Sequence, residues 1–267
     1  MPNKMFGLRI SRNRINISGR HGKRMAIKFS TGFLLRKLHQ ITGIVPLGAF
    51  FLVHMYANSA AMGGAASYNE HVKGIHDIPY LLFVEIFGIF VPLLFHSIYG
   101  IIISAEAKPN ALNYGYMRNW FYIFQRVTGV FLFFFIFFHV LNMRFGLIPG
   151  LETYGNPVAG NAGQAFQIVS AEFQNAGVLF FYFLGVIATA WHLAYGFWLF
   201  AVDWGIIIGE KAQRLSLYAC IGLAVFLSAV GINAAIAFVD KCGLLPDSFC
   251  EEAEKKGIVE PNGGRRF

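Results

Sequence analysis

Five long apolar segments alternate with polar stretches along the chain. Each can cross the hydrocarbon core of a bilayer as a helix, which takes about 20 apolar residues. A helix also satisfies its own backbone hydrogen bonds, as a segment surrounded by lipid must. The pattern predicts an all-α membrane protein with five transmembrane helices, numbered 1 to 5 in chain order. The segments cover residues 34–61, 79–105, 119–143, 177–202 and 215–239.

Composition agrees with a membrane location. Hydrophobic residues make up 56% of the 267 residues and charged residues only 13%, against about a quarter charged in soluble domains. The net charge is +8, but ten of the 22 Lys and Arg lie between Lys4 and Lys37, just before helix 1. That placement is typical of a cytoplasmic flank, and we expect no nucleic-acid partner. The basic arm suits contact with anionic lipid or with a soluble partner.

The loops differ in length and charge, and the difference predicts the topology. The 1–2 and 3–4 loops are long and poor in Lys and Arg, whereas the short 2–3 and 4–5 loops carry Lys108, Arg118, Lys211 and Arg214. Under the positive-inside rule the short loops and the N-terminus are cytoplasmic, and five spans put the C-terminus outside.

The chain therefore divides into three predicted regions: a basic cytoplasmic arm (1–30), a transmembrane domain (31–240) and an extracytoplasmic tail (241–267). Within that domain, helices 1 to 4 are expected to form a bundle with helix 5 at its periphery. In an extracytoplasmic tail, Cys242 and Cys250 suit either a small disulfide loop or two free thiols.

Four of the eight histidines lie well inside the apolar segments, one in each of helices 1 to 4: His54, His96, His139 and His192. Each is in the C-terminal half of its segment. Because adjacent spans run in opposite directions, His54 and His139 share a depth near the outer face, and His96 and His192 share one near the cytoplasm. The two layers are about 10–15 Å apart in depth.

Two imidazoles at one depth, on helices that face each other across a bundle, suit a haem with two histidine ligands. Gly100 and Gly196 each follow an inner histidine by four residues, in the strings HSIYG and HLAYG. On the same helix face, a glycine leaves room for a porphyrin. Gly43 and Gly129 precede the outer histidines by ten to eleven residues, which puts them at the depth of the inner pair.

Other chemistries suit the four histidines less well. A single intramembrane histidine is often a packed residue that hydrogen-bonds to a neighbouring helix, but four in two depth-matched pairs are harder to explain so. Zinc would need further ligands in each layer. A proton-coupled transporter would need acids between the layers, and Glu85 is the only spanning acid away from the membrane edges.

At these residues the sequence resembles a known family, the two-haem cytochrome b membrane anchor of succinate dehydrogenase and fumarate reductase, in the form with a single five-helix subunit. The similar strings are RKLHQITGIVPLGAFFLVH in helix 1, EIFGIFVPLLFHSIYG in helix 2, YMRNWFYIFQRVTG and FFHV in helix 3, and WHLAYGFWLFAVDWGI in helix 4. The resemblance covers about residues 33–239. A two-haem anchor of a hydrogenase or formate dehydrogenase is the alternative within electron transfer.

The resemblance implies two b haems, an outer, distal one on His54 and His139 and an inner, proximal one on His96 and His192. It implies an iron–sulfur subunit and an FAD-containing flavoprotein on the cytoplasmic side of a bacterial cytoplasmic membrane. Electrons would pass from succinate through these subunits and both haems to a quinone, usually menaquinone in this type, or in reverse to fumarate. The chain itself would carry no succinate chemistry.

Haem propionates and a quinone need polar partners at the membrane edges. The propionate candidates are basic residues near the spans: Arg36, His39, Arg126, Arg144 and Arg214. The quinone candidates lie near the outer histidines: Glu70, His71 and Glu85. Snorkelling at the membrane edge is the competing interpretation for the basic residues. Arg126 and Glu85 are the strongest candidates, because they lie inside apolar segments.

Overall fold

The computed structural model describes residues 14–18, 24–28, 30–240 and 255–256. In the basic arm, strands Arg14–Ser18 and Arg24–Lys28 pair antiparallel, with Arg14 opposite Lys28. No strand had been predicted there. The predicted cysteine pair in the tail lies outside the described residues, and so does most of the tail itself.

Within the described residues, five helices are long and apolar enough to cross a membrane, as predicted. By these bounds each predicted segment ends within a few residues of its helix, except that helix 5 begins five residues earlier. The five-helix all-α membrane fold is confirmed. The helices are helix 1 (Thr31–Gly63), helix 2 (Leu81–Ala105), helix 3 (Met117–Arg144), helix 4 (Ala176–Asp203) and helix 5 (Glu210–Ala237).

Helices 1, 2 and 3 are not uniform α-helices. Helix 1 is divided at Val45 into Thr31–Ile44 and Pro46–Ser59 and ends in a 3₁₀ turn. Helix 2 contains a π-helical segment, Glu85–Phe90, between two α-helical parts. Helix 3 is α-helical to His139 and π-helical over Val140–Arg144. Proline begins the second part of helix 1, where its missing N–H costs little; π-helical turns are frequent at functional sites.

Helices 1 to 4 form a closed ring in which 1 packs on 2, 2 on 3, 3 on 4 and 4 on 1. Helices 1 and 3 are therefore diagonal across the ring, as are helices 2 and 4. Helix 5 lies outside it, against helices 4 and 1. One tie to helix 4 is a hydrogen bond from Trp198 Nε1 to the Gln213 carbonyl (2.9 Å). This is the predicted four-helix bundle with a peripheral fifth helix.

The two long loops fold over one end of the ring, which we call the long-loop end; the opposite end is the short-loop end. The 1–2 loop contains the helix Ala65–His76, and the 3–4 loop contains the helix Ala165–Phe173 after 3₁₀ turns at Val158–Gly160 and Ala162–Gln164. No helix had been predicted in these loops.

The two loop helices pack on each other and on helices 4 and 5. The Tyr68 ring meets the Phe238 ring at 4.9 Å between centroids, and Phe173 meets Tyr182 at the same distance. Burial raises the pKa of Tyr68 above its ordinary value. The largest group of buried apolar side chains lies at this end, so the core covers the outer histidine pair rather than the inner one.

Candidate functional site

The four intramembrane histidines meet in two pairs. The His54 and His139 ring centroids are 5.8 Å apart, and those of His96 and His192 are 6.3 Å apart. Each pair joins two diagonal helices of the four-helix ring. The two imidazole planes of each pair are nearly perpendicular, at 78° and 88°. The structure thus brings together the same partners that equal depth had predicted.

Three of the four rings use Nδ1 in a local contact. His96 Nδ1 lies 2.9 Å from the carbonyl oxygen of His39, so it carries the proton and donates. His192 Nδ1 lies 3.3 Å from Thr128 Oγ1, whose hydroxyl donates to the Phe124 carbonyl. His139 Nδ1 lies 3.2 Å from Tyr182 Oη. Engaging Nδ1 fixes the ring and leaves Nε2 available to a metal.

The glycines and polar residues opposite the inner pair lie where the sequence suggested. A Cβ on Gly129 would come within 2.9 Å of the His192 ring, and one on Gly43 would collide with the His96 ring. Gln125 Nε2 donates to the His192 carbonyl (3.0 Å). Helix 3 therefore contacts the inner pair with one part of its face and carries an outer histidine on another.

His39 is closer to the inner pair than a membrane-edge position suggested. Its ring stacks on the His96 ring, with centroids 4.0 Å apart and planes 9° apart. Its Nδ1 is buried and lacks a hydrogen-bond partner among the described residues. A free donor or acceptor so close to a ligand-type histidine suits a polar group of a bound cofactor.

Arg126 is the propionate candidate whose surroundings most favour an anion. Its guanidinium stacks on the Tyr122 ring at 3.3 Å from the centroid, and Nη1 donates to the Tyr122 carbonyl (3.0 Å). Its buried Nε has no partner among the described residues. The side chain lines a groove of about 440 Å³ with Ser104, Val127 and Phe131. An unpaired cation at the edge of apolar surface calls for an anionic partner.

The other two arginines proposed for the inner end are less constrained. Arg36 forms an ion pair with Glu106 (3.1 Å) in which both side chains are more than half exposed. Arg214 is exposed near the start of helix 5. Exposed ion pairs exchange partners at little cost, so Arg36 can turn to another anion.

At the long-loop end, two candidates given separate roles are partners. Arg144 Nη2 lies 2.9 Å from Glu85 Oε2, and the Glu85 side chain is only 16% exposed. Each residue sits in a π-helical segment. Of the remaining quinone candidates, Glu70 is exposed, and His71 Nδ1 donates to the Ser67 carbonyl (2.8 Å).

A buried polar cluster between the outer pair and the 3–4 loop was not foreseen. Glu172 is 1% exposed, and Asn142 and Thr153 are fully buried. The Glu172 carboxylate accepts from Asn142 Nδ2 (3.0 Å) and from the backbone N–H of Glu152 (2.9 Å), and the Thr153 hydroxyl donates to the Asn142 side chain. Glu172 stands in a loop sequence, and only the folded loop shows that it is buried.

The donors present fit haem iron. Imidazole nitrogens bind first-row metals at about 2 Å, so two of them on opposite sides of one iron put the ring centroids roughly 6 Å apart. Both observed separations match this value. Within the described residues, no three His, Cys, Asp or Glu side chains converge as a further metal site.

Comparison with known proteins gives a consistent assignment. The sequence model of the succinate dehydrogenase/fumarate reductase transmembrane subunit matches residues 104–231. The chain is 37% identical over 207 residues to the succinate dehydrogenase cytochrome b558 subunit of Bacillus subtilis (strain 168), a match that covers 78% of this chain and 97% of that protein. No solved structure matches.

These findings exclude the hydrogenase, formate dehydrogenase and transporter alternatives as the family of this chain. They agree with the five membrane helices and with histidine pairs of the kind that bind a b haem. The chain belongs to the succinate dehydrogenase and fumarate reductase transmembrane subunits and is the cytochrome b membrane anchor of such a complex.

Proposed function

We propose that this subunit relays electrons between an iron–sulfur subunit and a membrane quinone through two b haems. His54 and His139 would be the axial ligands of the outer haem, and His96 and His192 those of the inner one. The observation that carries the proposal is the geometry of the two pairs, whose ring centroids are 5.8 and 6.3 Å apart on diagonal helices.

The chain's own residues prepare each pair for this task. A bound b haem supplies one-electron transfer at its iron. The hydrogen bonds at His96 and His192 Nδ1 hold those rings in one tautomer, which preserves the orientation of Nε2. At the outer pair, Phe135 stacks on His139 with centroids 6.1 Å apart. Such an apolar wall excludes water and lowers the local dielectric.

The charged candidates divide between the two ends. Propionates of the inner haem would bind to Arg126 and His39, each of which has a buried nitrogen without a partner among the described residues. Arg36 and Arg214 are the exposed candidates for the same role. Arg144 would do so at the outer haem. Its Nε is also buried without a described partner, so it can bind an anion while Nη2 stays paired with Glu85.

The quinone site would lie at the long-loop end, beside the outer pair. The Glu85–Arg144 pair places a carboxylate and a guanidinium side by side at the membrane edge. Quinone reduction takes up protons, and a partly buried carboxylate can pass them from the aqueous side. Glu70 and His71, on the helix of the 1–2 loop, are the remaining candidates. The two-haem type predicts menaquinone as the quinone.

The iron–sulfur subunit and the flavoprotein beyond it would dock at the short-loop end. This end exposes large apolar side chains in its loops: Leu112 is 95% exposed and Ile208 is 80% exposed. Exposed apolar residues among basic ones are typical of a protein interface. Under the positive-inside rule, the basic loops support a cytoplasmic position for this end and an outside position for the C-terminus.

A redox spectrum tests the haem assignment first. The purified complex, reduced with dithionite, is expected to show two b-type α-band components and two haems per anchor subunit. Absence of a b-type band would refute the proposal. Turnover with succinate and a menaquinone analogue, and with fumarate and the reduced analogue, then tests the quinone role and the direction.

A further inference from the structure

The buried cluster of Glu172, Asn142 and Thr153 has a connection that the proposed relay does not use. A carboxylate with 1% exposure is costly unless its oxygens are hydrogen-bonded. Its contacts arise from two separate parts of the chain, the end of helix 3 and the residues around Glu152 in the 3–4 loop. The carboxylate therefore joins the end of helix 3 to the 3–4 loop.

In the part of the chain that the structure describes, the partners of the carboxylate are all donors. Asn142 Nδ2 reaches Oε1 at 3.0 Å, and the backbone N–H groups of Glu152 and Thr153 reach Oε2 at 2.9 and 3.4 Å. An ionised carboxylate can only accept hydrogen bonds, and it accepts in each of these three contacts. The cluster therefore holds a fixed negative charge near the long-loop end.

Polar side chains lie between this charge and the outer histidine pair. Asn142 lies in the π-helical turn that directly follows His139. The Asn142 side chain lies near the Tyr182 hydroxyl, and that hydroxyl lies 3.2 Å from His139 Nδ1. Tyr182 itself is 6% exposed, so its hydroxyl has few other partners to choose from.

Among the described residues, no comparable link reaches the inner pair. His96 Nδ1 donates to a backbone carbonyl, and His192 Nδ1 donates to the Thr128 hydroxyl. Both contacts are neutral and end within one or two residues. One difference between the two pairs is therefore a carboxylate three links away from His139.

We propose that Glu172 is a positioning residue for His139. Glu172 acts through Asn142 and Tyr182 and lowers the reduction potential of the outer centre relative to the inner one. The inference rests on the proposed function, in which His139 is an axial ligand. Oxidised haem iron carries one more positive charge than reduced iron, so a fixed negative charge nearby favours the oxidised form. Hydrogen bonds passed along the path also fix the ring of the ligand.

Glu172→Gln tests the charge, and Glu152→Gln is the matched control. Both variants remove one acid from the same loop, but Glu152 is exposed and gives the cluster only its backbone N–H. Tyr182→Phe tests the path, because it removes the hydroxyl next to His139 and leaves the carboxylate in place. The assembled complex is titrated spectroelectrochemically, and the low-spin haem signals are recorded by electron paramagnetic resonance.

In Glu172→Gln we expect the ratio of reduced to oxidised outer haem at a given potential to rise about tenfold. This corresponds to a reduction potential higher by about 59 mV for one electron. The potential of the inner haem should be unchanged. A shift of this order fits one charge roughly 10 Å away at an effective dielectric of about 20. Tyr182→Phe should change the resonance signal of the outer haem alone, and Glu152→Gln should change neither haem.

An outer haem that behaves alike in Glu172→Gln and Glu152→Gln, or equal shifts of both haems, would overturn the inference. Should Glu172→Gln fail to assemble, Tyr182→Phe decides alone, and an unchanged outer signal in that variant counts against the path. A wild-type complex without two b haems would instead refute the proposed function, so the two failures are distinguishable.

Discussion

The histidine pairs at the two ends of the helical ring have different surroundings. At the long-loop end, His54 and His139 lie beneath two loop helices, a large aromatic core and a buried carboxylate. At the short-loop end, His96 and His192 lie below exposed ion pairs such as Arg36–Glu106, and a groove opens beside Arg126. Packed protein covers the outer pair, whereas exposed ion pairs and an open groove lie beside the inner one.

This difference suits the two ends of an electron relay. In the proposed relay, a soluble partner would approach the inner pair closely, and an open end with exposed side chains permits that. The outer pair would serve a quinone that arrives from the lipid, so protein can cover that pair from the aqueous side. Substitutions should therefore cost more at the long-loop end than at the short-loop end, and the predictions below use this contrast.

The largest expected effect comes from the ligands themselves. His139→Ala and His54→Ala should each remove the same haem and lower the haem content from two to one per anchor, because one remaining imidazole holds iron weakly. His96→Ala and His192→Ala should remove the other haem. Haem-to-protein ratios and reduced-minus-oxidised spectra of the purified complexes measure this. Loss of the same haem in His139→Ala and His96→Ala would refute the pairing.

A methyl group at Gly185 should destabilise the covered end next most strongly. A Cβ there would collide with the Phe135 ring, which is 7% exposed and sits one turn before His139. Overpacking of this kind costs about 1–3 kcal/mol. Thermal loss of haem absorbance in Gly185→Ala measures it. Gly222→Ala is the control, because a Cβ at Gly222 meets nothing within 4 Å; equal losses in both variants would contradict the packing argument.

Neutralising Glu85 should have a smaller effect on stability and a clear effect on quinone chemistry. Glu85→Gln leaves Arg144 without its carboxylate, a loss of roughly 1–2 kcal/mol for a partly buried charged hydrogen bond. Succinate-dependent quinone reduction should fall while both haems stay reducible by dithionite. Glu106→Gln removes the matching acid at the short-loop end, and we expect full quinone reduction in it. Normal turnover in Glu85→Gln would remove Glu85 from the quinone site.

The smallest effect is expected at the Lys37–Asp203 pair. Its atoms lie 2.5 Å apart, but the Asp203 side chain is 53% exposed, and exposed pairs contribute about 0–1 kcal/mol. Asp203→Asn should therefore shift thermal stability slightly at low salt and not at all near 1 M salt, where charges are screened within about 3 Å. A large, salt-independent loss would show that the short-loop end is as tightly packed as the other.

The sequence predicted the parts of this structure that depend on chain length and direction. Apolar length sets the spans, and alternating span direction puts His54 level with His139 and His96 level with His192. The same reasoning placed Gly129 opposite the inner pair, where a Cβ would meet the His192 ring.

Contacts between residues far apart in sequence could not be predicted. Glu85 and Arg144 are 59 residues apart, and no sequence pattern around either residue indicates that they form an ion pair. Glu172 owes its burial to a loop fold in which residues 20 positions earlier offer their backbone N–H groups. The loop helices also lack the long apolar runs that identified the spans, so their helical structure appears only in the folded chain.

The diagonal placement of the histidine pairs has a consequence for biogenesis. The outer pair needs helices 1 and 3, so its ligands are all present once the third span has entered the membrane. The inner pair needs helices 2 and 4 and is complete only one span later. As the chain leaves the ribosome, the proposed outer site would therefore be the first that can accept haem, and the proposed inner site would follow when the ring closes.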